Sequence, residues 1–229
     1  LQQAVIVAAA LGIAVFAFHN IRLLAWNLAS YARFRRTEAY AKLRRSNAET
    51  QITAMPLALA MTINVGFILG MVFVPGLWSV VEYLFPMALA GFLAVGVLAL
   101  WQIGAFLGRI KTEGGFDWAA NNSFAQVLPA FALSMVGVGL AAPAALSTVP
   151  LTSGIALVLS TFFLMAAVTI ALVAIVLAVH SMSVNGVAPE AAPTLLIVIP
   201  LITVLGILVM RQNHGLHVHF GAHESAGET

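Results

Sequence analysis

Cysteine is absent from all 229 residues, which excludes a disulfide framework, a thiolate metal site and a redox thiol. Charge is almost as scarce. Asp, Glu, Lys and Arg make up 8% of the chain and hydrophobic residues 62%, where a soluble domain carries roughly 25% charged residues. So little charge cannot shield that much apolar surface from water, and a small soluble globule is excluded. Two further gaps shape the reading. The apolar runs at 50–74, 122–142 and 191–211 contain no carboxylate in their interior, and the connections at Pro75 and Gly76 and from Pro143 to Ser153 contain no Lys or Arg.

What is present is a series of apolar runs about 20 or more residues long, the length a helix needs to cross about 30 Å of hydrocarbon. They predict six transmembrane helices: A at 4–28, B at 50–74, C at 80–108, D at 122–142, E at 153–182 and F at 191–211. The expected fold is all-α, an integral membrane protein with one transmembrane domain over 1–229. Seven of the ten cations, Arg22, Arg33, Arg35, Arg36, Lys42, Arg44 and Arg45, fall in the last two turns of A or after it. Arg109 and Lys111 follow C, whereas the B–C connection at Pro75 and Gly76 and the D–E connection from Pro143 to Ser153 have none. By the positive-inside rule, 29–49 is a basic cytoplasmic loop, the C–D loop is cytoplasmic, and the His-rich 212–229 is an extramembrane segment on the outer side. The net charge of +2 and pI near 9.4 therefore reflect topology and lipid headgroups as partners, not nucleic acid. A multi-pass protein of the inner (plasma) membrane is expected.

Pro56, Pro129 and Pro200 recur at spacings of 73 and 71 residues, each near the cytoplasmic start of its helix. Helices A, C and E have no proline in their central spans. Proline is tolerated in a first helical turn, where its missing N–H matters little. The alternation favours a second account, in which Pro56, Pro129 and Pro200 bend B, D and F around a central path and free the carbonyls of Ile52, Ala125 and Leu196. Thr62, Asn64, Ser134 and Thr203 are the candidate lining groups, neutral and so compatible with an anion. Arg35, Arg36, Arg44, Arg45, Arg109 and Lys111 form a candidate cytoplasmic cationic rim.

Three blocks carry a family resemblance: "LASYARFRRTEAYAKLRRSNAET" at 28–50 running into "QITAMPLALAMTINVGFILG" at 51–70, "LWQIGAFLGRIKTEGGFDWAANNSFAQVLPAFALSMVGVGL" at 100–140, and "APEAAPTLLIVIPLITV" at 188–204. The chain resembles the TehA and plant slow-anion-channel family, the tellurite-resistance/dicarboxylate transporter group, and within it the bacterial TsoY branch. The resemblance covers the second to seventh helices. It implies helix hairpins around a central pore, six of an expected ten helices in this chain, trimeric assembly, and passage of chloride, nitrate, a dicarboxylate or an oxyanion. The family's occluding aromatic belongs to a ninth helix and maps onto no residue here.

His214, His217, His219, His223, Glu224 and Glu228 close the chain. His217, His219 and His223 are candidate metal ligands, set against the plainer reading of a His-rich interfacial segment. His19 and His180 are a conceivable pair of axial haem ligands, but paired His on several helices, as a haem bundle would show, are lacking, and no cofactor is predicted. No Ser/His/Asp set, carboxylate pair or phosphate loop emerges, so an enzyme is not expected. An anion channel or transporter leads. A membrane metalloprotein or redox subunit and a non-conducting structural subunit are the alternatives.

Overall fold

The structure, a computed structural model, describes residues 2–221. Among them there is no strand, and the long elements are α1 (Gln2–Phe34), α3 (Ala54–Phe73), α4 (Val81–Glu113), α5 (Leu128–Leu146), α6 (Pro150–Asn185) and α7 (Val198–Phe220). A short α2 (Glu38–Leu43), capped by the Thr37 hydroxyl, lies between α1 and α3. Six helices are long and apolar enough to cross a membrane. The all-α, multi-pass membrane architecture is thereby established, with the predicted six helices A to F in α1 and α3 to α7.

The ends differ from expectation where polar residues stay helical. The basic stretch 29–49 is not one loop: α1 continues to Phe34 and α2 occupies part of the rest. Helix F runs nine residues beyond 211, so 212–220 continue α7; 222–229 lie outside the described residues.

The repeating prolines mark junctions. A 3₁₀ segment, Asn47–Thr53, Phe124–Val127 or Pro189–Ile197, precedes α3, α5 and α7 in turn. Pro56, Pro129 and Pro200 fall in the first turn of the α-helix that follows. A first-turn proline loses little, since the N–H groups there have few intrahelical partners. The first-turn account therefore describes these prolines, and the shared 3₁₀-to-α junction is the form the repeat takes.

Burial follows residue size. α5 packs against α3, α4, α6 and α7, and 78% of its spanning window is buried, against 33% for α4, 28% for α6, 17% for α3, 11% for α7 and 6% for α1. Of the three helices expected inside, only D is enclosed. Its small residues, including Ala130, Gly137, Gly139, Ala141 and Ala144, let neighbours approach closely, while Ile, Met and Phe on α3 and Ile and Met on α7 suit lipid. Phe92 and Phe163 fill the space the glycines leave: a Cβ on Gly139 would overlap the Phe92 ring, and one on Gly96 the Phe163 ring. Among the described residues, then, a packed helix and not an open pore occupies the centre.

Hydrogen bonds define two ends. At the cation-rich end, Asn47 Nδ2 donates to the Asp117 carbonyl (2.7 Å) and Asp117 N–H returns to Asn47 Oδ1 (3.1 Å). Gln126 Nε2 donates to the Asn47 carbonyl (2.9 Å), and Phe124 N–H to Thr194 Oγ1 (3.1 Å). These bonds join the A–B, C–D and E–F connections. At the opposite end the Glu82 carboxylate accepts from Ser147 Oγ (2.8 Å), Thr148 N–H (2.6 Å) and Thr148 Oγ1 (2.9 Å), joining the B–C and D–E turns. The expected alternation of connections between the two ends is met.

Candidate functional site

The arrangement with most chemical content surrounds Arg211, and the residues beside it explain why it points inward. Gln212 Nε2 donates to Ser160 Oγ (3.0 Å) and Thr161 Oγ1 (3.2 Å) on α6, which fixes the rotation of α7. Gly215 lets the two backbones close, because a Cβ there would overlap the Ala144 carbonyl of α5. With α7 held in that register, Arg211 Nη1 donates to the Val138 carbonyl of α5 at 2.7 Å.

Val138 stands ten residues from Leu128 and eight from Leu146, about 15 and 12 Å along the axis. An arginine in a membrane helix ordinarily snorkels toward the headgroups. This one is tied near mid-helix. Glu49 holds both ion pairs found among the described residues, so no carboxylate neutralises Arg211 there. One of its five N–H donors has a protein partner in the described set, and an unneutralised guanidinium at such depth is costly unless something else solvates it.

A cavity of about 100 Å³ adjoins it, room for roughly three waters. Trp78, Val81 and Leu146 surround it toward the cation-poor end, and Asn64, Gly139 and Arg211 lie deeper. Asn64 is nine residues before the end of α3, about 14 Å in. Its Nδ2 donates to the Ala60 carbonyl (3.1 Å) and weakly to Met135 Sδ (3.7 Å). Pro143 in α5 has no N–H for the Gly139 carbonyl, so an acceptor is also freed at the wall. Buried Phe92 is packed against Gly139 and forms part of the lining. The site combines a fixed cation and an amide in an otherwise apolar recess; the freed Gly139 acceptor favours the opposite charge, so the guanidinium is what suits the recess to a small anion with one or two waters.

The other sequence candidates divide. Asn64 joins the site. Thr62 Oγ1 lies 2.9 Å from both Asn20 Oδ1 and the Ala58 carbonyl and pins α3 to α1. Ser134 is fully buried on the Phe131 carbonyl (2.8 Å), and Thr203 bonds Ile199 on an exposed face. Neither faces the recess. Pro56 and Pro129 are buried at their junctions and Pro200 is exposed. Within the rim, Arg44 and Arg109 clamp Glu49, each at 2.7 Å, and Arg109 also donates to the Ser46 carbonyl (3.1 Å). Their charge is partly spent on a carboxylate 3% exposed; Arg35, Arg36, Arg45 and Lys111 remain exposed.

His217 and His219 stand on α7, two positions and so about 200° apart, and do not converge on one ion. His223 lies outside the described residues. No group of three potential metal ligands occurs among the described residues. His19 Nδ1 is bonded to the Val15 carbonyl (2.8 Å).

In the sequence Arg211 stands at the expected end of helix F, where a cation is ordinary. The available signal was that Gln212 to Phe220, though polar in part, still alternate enough apolar residues to extend a helix. No protein-family model, curated protein or solved structure matches the chain.

Proposed function

We propose that this protein binds and passes small inorganic anions across its membrane, as a channel or transporter, with Arg211 and Asn64 at the binding station. The observation that carries the reading is Arg211 itself: a guanidinium held near mid-helix on the Val138 carbonyl, beside a recess, with no carboxylate partner among the described residues. Ionisable groups at such depth mark ion pathways or substrate sites. A recess of about 100 Å³ favours chloride or nitrate over a dicarboxylate. Phe92 and the packed α5 seal the recess toward the bundle centre, which favours an occluded site that opens by rearrangement over a standing pore. Membership in the TehA and slow-anion-channel group, trimeric assembly and a plasma-membrane location belong to the same proposal, and rest on the resemblance of the three blocks.

The test is flux from liposomes holding the purified protein under a chloride or nitrate gradient. Wild type is expected to give an anion-selective reversal potential and Arg211→Gln to lose it. A cation-selective potential, or no flux under any gradient, would reject the reading.

A further inference from the structure

We infer that the groove between the cation-rich ends of α1 and α3 is a binding site for one anionic phospholipid. α1 packs against α3 and is pinned to it at mid-length by Asn20 and Thr62, 2.9 Å apart. From there to the cation-rich end the two helices enclose a cavity of about 350 Å³. Leu24, Leu28 and Phe34 form one wall, Ile52, Met55 and Ala58 the other. α2 folds back beneath it, with Tyr40 edge-on to Tyr31 (6.2 Å between ring centroids) and to Phe34 (5.7 Å). A helix with 6% of its spanning window buried cannot close this gap with protein. Asn27, Tyr31 and Gln51 are the polar members of the lining and the rest is apolar; in a bilayer a mostly apolar gap of that kind fills with an acyl chain, since water along most of it would face few hydrogen-bonding partners.

The mouth of the groove selects the headgroup. Tyr31 lines it, and Arg35 and Arg44 stand close enough to the Tyr31 hydroxyl to act on it electrostatically. Arg36, Lys42 and Arg45 lie on the same connection, all exposed, and among the described residues none of them forms an ion pair. Glu38 offsets one of these charges; Glu49 is shared by Arg44 and Arg109. Clusters of this size beside a membrane helix recognise anionic lipid, each Lys or Arg contributing roughly a fivefold preference. A second copy of the chain is a poorer occupant. Copies inserted the same way round bring their own Arg35, Arg36 and Lys42 to the same level and repel.

The protein in nanodiscs of equal phosphatidylglycerol and phosphatidylcholine would be extracted into mild detergent and its retained lipid measured by native mass spectrometry. One phosphatidylglycerol per chain is expected, in at least tenfold excess over phosphatidylcholine. Arg35→Gln with Lys42→Gln is expected to reduce that excess by about fivefold to twentyfold, and Ala54→Phe, which fills the groove, to remove both lipids. Equal retention of the two lipids by wild type, no retained lipid, or a lipid-free dimer would each overturn the inference. The wild-type competition decides the matter even if a variant does not fold. Anion flux plays no part in the readout, so the lipid site stands or falls separately from the transport proposal.

Discussion

Replacing Arg211 by Gln separates a functional cation from a structural clip, because the two predict opposite effects on stability. A cation at mid-helix costs about 2.5–3.5 kcal/mol on the insertion scale. Its bond to the Val138 carbonyl returns about 1.5–3 kcal/mol, as hydrogen bonds to charged groups do. The two nearly cancel, so Arg211→Gln is expected to leave unfolding stability within about 1 kcal/mol, with any change toward higher stability. The anion loses far more. A unit charge about 4 Å away contributes at most ~4 kcal/mol at an effective dielectric of 20, and the recess is partly open, so an affinity loss of about tenfold to a hundredfold follows. Wild type at ten times its chloride Kd gains about 1.4 kcal/mol of stability from binding, whereas the variant, at one to one tenth of its weakened Kd, gains about 0.4 kcal/mol or less. The assay is unfolding in nanodiscs with chloride exchanged for gluconate at constant ionic strength, run beside chloride efflux from liposomes. A variant several kcal/mol less stable than wild type, together with a wild type indifferent to chloride, would show that Arg211 only clips α7 to α5 and would refute the reasoning.

Other consequences are open to simpler measurements. Cysteines at Ala39 and at Val149, both exposed, are expected to react with a membrane-impermeant maleimide from opposite sides, Ala39 from the cytoplasm; labelling from one side would end the topology. Glu49→Gln leaves Arg44 and Arg109 facing each other without the carboxylate they share. A loss near 3 kcal/mol, the low end for breaking a buried pair because Arg44 is partly exposed, is expected in denaturant unfolding. Gly215→Ala sets a methyl against the Ala144 carbonyl and is expected to lower stability by about 1–3 kcal/mol and reduce anion flux by displacing Arg211. Gly66→Ala and Gly104→Ala, which meet open space, are expected to do neither. Equal effects from all three glycine variants would discredit the close approach of α5 and α7.

The features legible in sequence are those with a strong one-dimensional signal. Six apolar runs gave six spanning helices, and the lopsided distribution of cations gave connections grouped at two ends, because hydropathy and charge act residue by residue. The inner and outer assignment was read from proline. It failed for α3 and α7, since a first-turn proline costs a helix little and says nothing about what the remaining side chains touch. α5 is central because Ala130, Gly137, Gly139 and Ala144 admit neighbours, a property of residue size that the same sequence displays openly. Arg211 was missed for a different reason. Its depth depends on α7 running to Phe220 and on Gln212 meeting Ser160, a contact between residues 52 apart that no local pattern encodes.

The two sets of cations make different contributions, and distance separates them. Arg211 lies thirteen residues past the start of α7, about 20 Å from the cation-rich end, where the exposed cations are screened at their own surface by water and by salt with a Debye length of roughly 8 Å. Arg35, Arg36, Arg45 and Lys111 can therefore raise the anion concentration at their own surface but cannot set the potential in the recess. Arg44 and Arg109 contribute less still, being shared with Glu49. Inside the recess the Gly139 carbonyl freed by Pro143 pulls the other way, toward cations, yet one carbonyl dipole is weak where cation filters use rings of them. The sign of the site thus rests on Arg211 alone. Neutralising the surface cations is then expected to lower flux at low salt and leave selectivity intact, whereas neutralising Arg211 leaves a recess with an amide and a free acceptor, and no reason to prefer an anion.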